Sequence, residues 1–285
     1  MTEHSSDSGS ALLVAALYRF HPIPEVAAVR QWIFDAGQSS DLVGTILVAP
    51  EGINGTIVGD PGNVQAFIET LESRDGFHDL QIRFSRCTEP PFKRWKVRLK
   101  NEIVTLGVEG TDPNERVGIY LDPAEWNQLL TDEEVTLIDT RNHYETAVGK
   151  FKGAVDPDTE TFREFPKWVD ENLDPSKNEK VAMYCTGGIR CEKATHLLLQ
   201  KGFKEVYHLK GGILRYLEET QKSESLWDGE CFVFDERVSV DHDLQPGKHV
   251  ICDHCQLPVP AEKMDEHRCE KMKRAKMTAA AEAPC

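Results

Sequence analysis

The stretch Val181-Ala-Met-Tyr-Cys-Thr-Gly-Gly-Ile-Arg-Cys191 decides the fold of the second half of this chain. Residues 181–184 form a short apolar run, which is typical of a strand buried in a parallel sheet. Apolar residues then recur at helical spacing from Cys191 onward, and Gly202 is a natural helix C-cap. The stretch therefore predicts a strand, a tight loop and a helix, with Cys185 at the carboxyl end of the strand.

The loop between this strand and helix contains the groups that stabilise a thiolate. Gly187 and Gly188 free the backbone to curl, so that successive N–H groups point towards the sulfur of Cys185. The helix dipole and the Arg190 guanidinium favour the same negative charge. We interpret Cys185 as a nucleophile that ionises near neutral pH; the alternative is a buried structural cysteine beside a glycine turn. The predicted active-site loop comprises Cys185, Thr186, Gly187, Gly188, Ile189 and Arg190.

The motif Cys185-Thr-Gly-Gly-Ile-Arg-Cys-Glu-Lys-Ala194 resembles the active-site loop of rhodanese-homology domains, and more closely that of bacterial tRNA uridine hydroxylases, the TrhO family. Residues 49–56 and 92–100 resemble signature stretches of the same family. The Cys-x4-Arg spacing matches the short loop of rhodaneses, whereas phosphatases on related scaffolds carry Cys-x5-Arg. The resemblance spans residues 11 to about 240. It implies oxygen-dependent 5-hydroxylation of the wobble uridine in tRNA, with molecular oxygen as co-substrate and Cys185 as the essential thiol.

Composition limits the class of protein further. The chain has 285 residues, of which 40% are hydrophobic and 28% charged, so a packed globular protein of about two domains is expected. No apolar stretch approaches the roughly 20 residues needed to cross a bilayer. Eight cysteines without the pattern of a small secreted domain suit a reducing cytoplasm. We therefore predict a cytoplasmic enzyme with no membrane partner and no organic cofactor.

The first domain is predicted over residues 11–115, after a polar tail at residues 1–10 that we expect to be disordered. Its pattern runs strand, helix, strand, strand, helix, strand, with the first helix at residues 23–36 and a turn at residues 50–54. This order indicates a ferredoxin-like split βαβ sandwich.

A cationic strand is predicted at residues 93–100, where apolar and basic side chains alternate with period two. The net charge of the chain is −15, which argues against a nucleic-acid coat protein but leaves room for a local basic surface. We interpret the strand as a contact for the RNA backbone; the alternative is an edge strand protected from aggregation by its charges. Its apolar positions are Trp95, Val97 and Leu99, and its basic positions are Arg94, Lys96, Arg98 and Lys100.

The second domain is predicted over residues 116–225 as a rhodanese-like, doubly wound α/β domain, with residues 101–122 serving as a connector. Asp139 and Arg141 follow one of its strands and match the Asp-x-Arg stretch of rhodaneses. They support the active-site loop either by orienting it or by forming a structural ion pair, and the ion pair is the preferred interpretation.

Three further positions near the loop have two interpretations each. Cys191 either resolves an oxidised Cys185 as a disulfide or is a small buried hydrophobe. Arg163 either faces the pocket or pairs on the surface with a neighbour. The segment at residues 143–145 matches only the first part of a two-His-one-carboxylate iron site, and we favour a structural role. The pair Gly211-Gly212 is expected to permit close packing against the catalytic loop.

Residues 226–285 form a C-terminal extension, in which two phenylalanines suggest an arm packed back on the body. Two thiolates at Cys-x2-Cys spacing, followed by a histidine and a cysteine, indicate a structural zinc knuckle. The alternative is a set of reduced thiols. A basic run at residues 271–276 could reach RNA. The predicted metal ligands are Cys252, Cys255, His267 and Cys269.

Three functions remain open from the sequence. The first is the tRNA uridine hydroxylase, an oxidoreductase with tRNA as partner. The second is a thiosulfate-type sulfurtransferase that carries a persulfide on Cys185; the loop fits it equally well, but such an enzyme has no need of a cationic strand. The third is a non-catalytic RNA-binding adaptor, against which the intact Cys185 and Arg190 argue. Protein partners are not indicated.

Overall fold

The structure is a computed structural model that describes residues 11–269. These residues form an α+β domain, an α/β domain and a C-terminal extension. The tail predicted at residues 1–10 and the basic run at residues 271–276 lie outside the described residues. Within residues 11–269, every helix is too short or too polar to cross a membrane.

The first domain is a five-stranded sheet covered on one face by two helices. The strand order is β4-β1-β3-β2-β5, in which β1 to β4 pair antiparallel and β5 joins β2 in parallel at the edge. The first four strands confirm the predicted ferredoxin-like sandwich. Its elements are β1 (Leu12–Phe20), α1 (Val26–Ser39), β2 (Val43–Ala49), β3 (Gly52–Gly59), α2 (Pro61–Glu72), β4 (Gln81–Cys87) and β5 (Trp95–Leu99).

The core of this domain lies between the sheet and its helices. Ile33 of α1 and Phe67 of α2 are fully buried against the strands. The Trp95 ring packs edge-on against Phe67, and its indole N–H donates to the Phe34 carbonyl at 2.9 Å. Val97 is buried in the same core, as its alternation predicts, but Leu99, the last residue of β5, is 50% exposed.

The other face of the sheet carries no helix of its own, and we call it the open face. Residues paired across neighbouring strands point to the same face of a sheet. The register therefore places Lys96 and Arg98 of the cationic strand on the open face, beside Thr45 and Leu47. Two cross-strand rows of this face are Arg83-Ala16-Thr56-Thr45-Lys96 and Gln81-Tyr18-Asn54-Leu47-Arg98.

The second domain is a parallel four-stranded sheet of order β6-β10-β9-β7 with helices on both faces. Alternate residues of β9 pack on opposite sides. Val181 and Met183 face α5 and α6, while Ala182 and Tyr184 face α3 and α7. This confirms the doubly wound fold. The elements are β6 (Ile119–Leu121), α3 (Pro123–Leu129), β7 (Val135–Asp139), α4 (His143–Thr146), β8 (Gly149–Phe151), α5 (Phe165–Asn172), β9 (Lys180–Tyr184), α6 (Ile189–Gln200), β10 (Glu205–Leu209) and α7 (Gly212–Glu219).

Three element boundaries differ from the sequence predictions. Helix α1 begins three residues later than predicted, because the Ile23 N–H donates to the Pro50 carbonyl instead of entering the helix. The turn predicted at residues 50–54 is shorter, since Gly52 already pairs with Phe20 in the sheet. The predicted connector contains β6, because Ile119 pairs in parallel with Tyr207 of β10.

A buried ion pair joins the two domains. The Lys193 side chain on α6 is 1% exposed, and its Nζ lies 2.7 Å from a Glu51 oxygen and 2.6 Å from a Glu102 oxygen. Glu51 lies in the β2–β3 turn, and Glu102 follows β5. The helix that starts at the cysteine loop is therefore attached directly to the first domain.

The extension contacts both domains. The Arg237 guanidinium donates to the Ser85 hydroxyl of β4 at 2.7 Å. We call residues 231–240 the C-terminal arm, and the arm confirms that the extension packs back on the body. The strands of the extension are β11 (Trp227–Gly229), which pairs with β8, then β12 (Cys231–Phe232) with β13 (Ser239–Val240), and β14 (His249–Ile251) with β15 (Pro258–Pro260).

Candidate active site

A cavity of about 710 Å³ lies between the open face, the cysteine loop and the C-terminal arm. Each part of the chain contributes to its wall, so the cavity exists only because the two domains and the arm are packed together. The wall includes Tyr18 and Arg83 of the first domain, Cys185 and Arg190 of the loop, and Phe234 of the arm.

The cysteine loop is built as the sequence predicts. The Gly188 N–H donates to the Cys185 sulfur at 3.1 Å. Gly188 has a φ of +100°, and a Cβ atom there would lie 3.1 Å from the Tyr18 hydroxyl. Glycine is therefore required both by the backbone conformation and by the close approach of the first domain.

The charge environment lowers the pKa of Cys185 to about 6. Burial alone raises this pKa, since the side chain has no exposed surface. Hydrogen bonds from the Cys191 thiol and from the backbone N–H groups of Cys191 and Arg190, together with the Arg190 charge, outweigh burial. At neutral pH the sulfur is a thiolate in the cavity wall.

Arg190 is held by a carboxylate beneath the loop. Its two terminal nitrogens donate to the two Glu145 oxygens at 2.5 and 2.8 Å, and Nη2 lies 3.3 Å from the Thr186 hydroxyl. Burial lowers the pKa of Arg190, but the Glu145 charge outweighs burial and holds this pKa above its usual range. The bidentate geometry fixes the guanidinium beside Cys185.

Glu145 was not singled out from the sequence as the partner of Arg190. It is the third residue of α4, where its side chain accepts from the Asn142 N–H at 3.1 Å in a capping box. The signal in the sequence was an Asn-x-x-Glu pattern that begins three residues after the end of a buried strand. The His143 ring instead contacts Asp156 at 2.8 Å, so the imidazole and the Glu145 carboxylate serve different partners.

Asp139 and Arg141 form an ion pair with no exposed surface. Arg141 Nη2 lies 2.6 Å from an Asp139 oxygen and also donates to the Gly149 carbonyl, while Nη1 donates to the Glu145 carbonyl at 3.3 Å. The pair thus stabilises the backbone that presents Glu145. Within the described residues the two side chains form an ion pair that also reaches the loop through Glu145, so the geometry fits both interpretations.

The start of α7 closes the other side of the loop. The Ile213 N–H donates to the Cys185 carbonyl, and the Leu214 N–H donates to the Thr186 carbonyl. A Cβ atom on Gly212 would lie 2.5 Å from the Cys185 carbonyl oxygen. The close packing predicted for the double glycine is confirmed.

Tyr18 and Glu192 form a polar contact that the sequence did not reveal. The Tyr18 hydroxyl donates to a Glu192 oxygen at 2.7 Å, and both side chains are 7% exposed. Burial raises the pKa of each group, and the Glu192 charge raises that of Tyr18 further. Tyr18 lies in an apolar strand, so only the packing of the two domains shows that it reaches the cysteine loop.

The other predicted positions divide into two groups. Arg163 lines the cavity. The four basic residues of the cationic strand are exposed and lie outside the cavity wall, at the edge of the open face that forms its floor. The structure thus places the basic cluster next to the cavity and apart from the cysteine.

The four predicted metal ligands come together. The ligand atoms of Cys252, Cys255, His267 and Cys269 all lie within 4.8 Å of one another. The sulfurs of Cys252 and Cys269 are 3.7 Å apart, and the Cys255 sulfur is 3.2 Å from His267 Nε2. Cys252 and Cys255 lie between β14 and β15, and His267 and Cys269 follow β15.

Family models match both domains. A model described as a UPF0176 acylphosphatase like domain matches residues 12–103, and a model of the rhodanese-like domain matches residues 122–219. The fold and the cysteine loop therefore define a protein of the rhodanese class that carries an acylphosphatase-like domain at its N-terminal side.

Curated relatives extend over most of the chain. A tRNA uridine(34) hydroxylase of Teredinibacter turnerae is 56% identical over 250 residues, which are 88% of this chain and 78% of that protein. The protein of the same name from Agrobacterium fabrum is 55% identical and covers 87% of this chain and 79% of its own length. The protein of that name from Deinococcus radiodurans is also 55% identical, and the match covers 87% of this chain and 82% of that protein. The chain belongs to the tRNA uridine(34) hydroxylase family.

The first prediction concerns the charge of Cys185. The ultraviolet absorbance of the thiolate, taken as the difference between the wild type and Cys185→Ser, is expected to titrate near pH 6. The thiolate fraction falls below that pH because the sulfur takes up a proton. The double variant Arg190→Met/Glu145→Gln removes the guanidinium without leaving Glu145 as a buried unpaired charge, and it should move the titration to higher pH.

Lys201→Met is the matched control, since Lys201 pairs with Asp170 on the surface of the same domain. It should leave the titration unchanged. A wild-type titration at the ordinary thiol value of about 8.5 would contradict the proposed charge environment.

Proposed function

We propose that this chain hydroxylates C5 of the uridine at position 34 of tRNA, with molecular oxygen as co-substrate and Cys185 as the essential thiol. The observation that supports this most directly is the Cys185 thiolate in the wall of an interdomain cavity whose floor continues into a cationic edge. Membership of the tRNA uridine(34) hydroxylase family supplies the substrate and the reaction.

The cavity suits a single unstacked base. Proteins recognise loop nucleotides by extruding the base and stacking it on aromatic side chains. Phe234 lies at the cavity with 59% of its surface exposed, and the Arg190 guanidinium is 5.7 Å from its ring centroid. The proposal places the uracil ring against Phe234 and within reach of the cysteine loop.

The cationic strand accounts for RNA binding by an acidic protein. Lys96 and Arg98 extend the open face beyond Thr45 and Leu47, which line the cavity. A backbone running along this edge would pair its phosphates with Lys96, Arg98 and their basic neighbours while one base enters the cavity. The alternative is an edge strand whose charges only prevent aggregation. That alternative does not explain why the basic residues border the cavity that contains Cys185.

We further propose that the cysteine cluster of the extension holds a structural zinc ion. Three thiolates and one imidazole are the donors of a closed tetrahedral zinc site, in which Zn–S bonds of 2.3 Å place sulfurs about 3.8 Å apart. The 3.7 Å between the Cys252 and Cys269 sulfurs fits this spacing. The ion would stabilise a segment with little apolar surface of its own and takes no part in the proposed chemistry.

The second prediction tests the reaction. In a strain that lacks this protein, the wild type should restore 5-hydroxyuridine at position 34, and Cys185→Ser should restore less than about 1% of it, because the essential nucleophile is lost. Mass spectrometry of tRNA nucleosides measures both. Growth under labelled oxygen gas should place the label in the C5 hydroxyl.

Cys231→Ala is the control, since Cys231 is a buried thiol of the opposite sheet face and should be dispensable. Rescue by Cys185→Ser would contradict the proposal. Unchanged hydroxyuridine with a loss of thiouridine would indicate the sulfurtransferase instead.

The third prediction concerns the cationic strand. Lys96→Ala/Arg98→Ala should weaken tRNA binding and reduce the slope of log Kd against log salt concentration by about 1.4 to 1.8, because two phosphate contacts are lost. Filter binding over a salt series measures this slope. Lys167→Ala/Lys177→Ala removes two exposed lysines of the second domain and should change the slope little. Equal slopes for the two variants would rule out a phosphate contact at the cationic strand.

The fourth prediction concerns the metal. The purified full chain should contain one zinc ion, and Cys252→Ser/Cys255→Ser should abolish it, because two of four ligands are lost. Elemental analysis by mass spectrometry gives the stoichiometry. Cys87→Ser, at the end of β4, should retain the ion. Zinc retained in the double variant would show that these residues are not its ligands.

A further inference from the structure

Two buried thiols, Cys185 and Cys191, lie at the cysteine loop and the start of the helix that follows it. Cys191 lies in the first turn of α6 and belongs to the same buried cluster as Cys185, and its backbone N–H donates to the Gly188 carbonyl of the loop at 3.1 Å. Neither side chain has exposed surface. The Thr140 hydroxyl lies 3.6 Å from the Cys191 sulfur and fixes its position on the far side.

We propose that Cys191 is the second electron-donating thiol of the hydroxylation, and that each turnover converts Cys185 and Cys191 into a disulfide. This inference rests on the proposed function and adds the source of the two electrons that the reaction requires. It makes Cys191 a catalytic residue, because its sulfur forms a bond during the cycle.

The atoms and electrons of the hydroxylation balance when two thiols supply the two electrons that dioxygen still requires. Uridine with its C5–H bond, dioxygen and two thiols give 5-hydroxyuridine, one disulfide and one water. One oxygen atom is retained in the new C5–O bond. The other oxidises the Cys185 sulfur to a sulfenic acid, and the Cys191 sulfur then attacks this sulfur, forms the S–S bond and releases the oxygen as water. The uridine carbon and the two sulfurs are oxidised, and dioxygen is reduced by four electrons.

The two cysteines are suited to these different roles. Cys185 is the thiolate and meets the oxidant first. Burial, and then the neighbouring Cys185 charge, raise the pKa of Cys191, so this thiol keeps its proton until Cys185 has been oxidised. The order of events follows from the different surroundings of the two sulfurs, since the Cys185 sulfur accepts the Gly188 N–H at 3.1 Å and the Cys191 sulfur lies 3.6 Å from the neutral Thr140 hydroxyl.

The third buried thiol of this region is excluded by its position. Cys231 packs with Tyr184 and Trp227 on the opposite face of the sheet, and its thiol donates to the Phe232 carbonyl. Cys185 and Cys191 instead share one core cluster. Among the described residues, Cys191 is thus the thiol placed to react with Cys185.

Regeneration requires an external dithiol reductant that opens the Cys185–Cys191 disulfide by thiol–disulfide exchange. The chemical class is a dithiol of the kind carried by thioredoxin-like proteins, and dithiothreitol is the probe used here for it. Without such a reductant the protein should complete one turnover and stop.

The test is a single-turnover experiment on the full chain. Fully reduced protein is freed of reductant without air, mixed with tRNA that lacks the modification, and then exposed to oxygen. Trypsin cleaves after Arg190, so the disulfide would hold together the peptides of residues 181–190 and 191–193. The expected result is one linked peptide pair for each hydroxyuridine formed, and many turnovers when excess dithiothreitol is added.

The variants separate this inference from the proposed function. Cys191→Ser should lower the single-turnover yield by at least about tenfold and recover activity with excess dithiothreitol, because an external thiol can replace the missing one. Cys231→Ala should match the wild type. Full single-turnover yield from Cys191→Ser, or wild-type product without the linked peptides, would overturn the inference and leave the hydroxylase function intact. Absence of product from the wild type even with dithiothreitol would overturn both.

Discussion

The Cys185 sulfur carries a negative charge on a side chain with no exposed surface in the cavity wall, and the surrounding groups are arranged to stabilise that charge. Burial of an ion is costly unless hydrogen bonds and an opposite charge compensate for it. Gly188, Cys191 and Arg190 supply these, and Glu145 keeps the Arg190 guanidinium in place. Gly188 and Gly212 keep the loop closely packed, because a Cβ atom would lie 3.1 Å from the Tyr18 hydroxyl at Gly188 and 2.5 Å from the Cys185 carbonyl oxygen at Gly212.

The second domain alone holds Cys185 but only part of the cavity wall. The open face of the first domain provides the floor of the cavity, the cationic strand extends that floor, and the arm adds Phe234. Lys193 fixes the two domains to each other directly behind the cysteine loop. The proposed nucleophile, the proposed base-stacking surface and the proposed phosphate contacts thus come from different parts of the chain and depend on one domain arrangement.

Local patterns in the sequence predicted much of this structure. The apolar run before Cys185, the Cys-x4-Arg loop and the spacing of the metal ligands each involve residues close together in the chain, so their geometry follows from local rules. Glu145 and Tyr18 were missed because each meets its partner only after folding, across 45 and 174 residues respectively. The β6 strand was hidden in a polar connector, since three residues carry too little periodicity to show.

The most direct test of this account measures which residues of the protein contact the base at position 34 of bound tRNA. A tRNA with 5-bromouridine at position 34 can be irradiated in complex with the full chain, and the attached peptides identified by mass spectrometry. The structure predicts attachment to the peptide of residues 181–190 or to that containing Phe234, with competition by unmodified tRNA. Attachment confined to peptides outside the cavity wall would contradict the placement of the uridine beside Cys185.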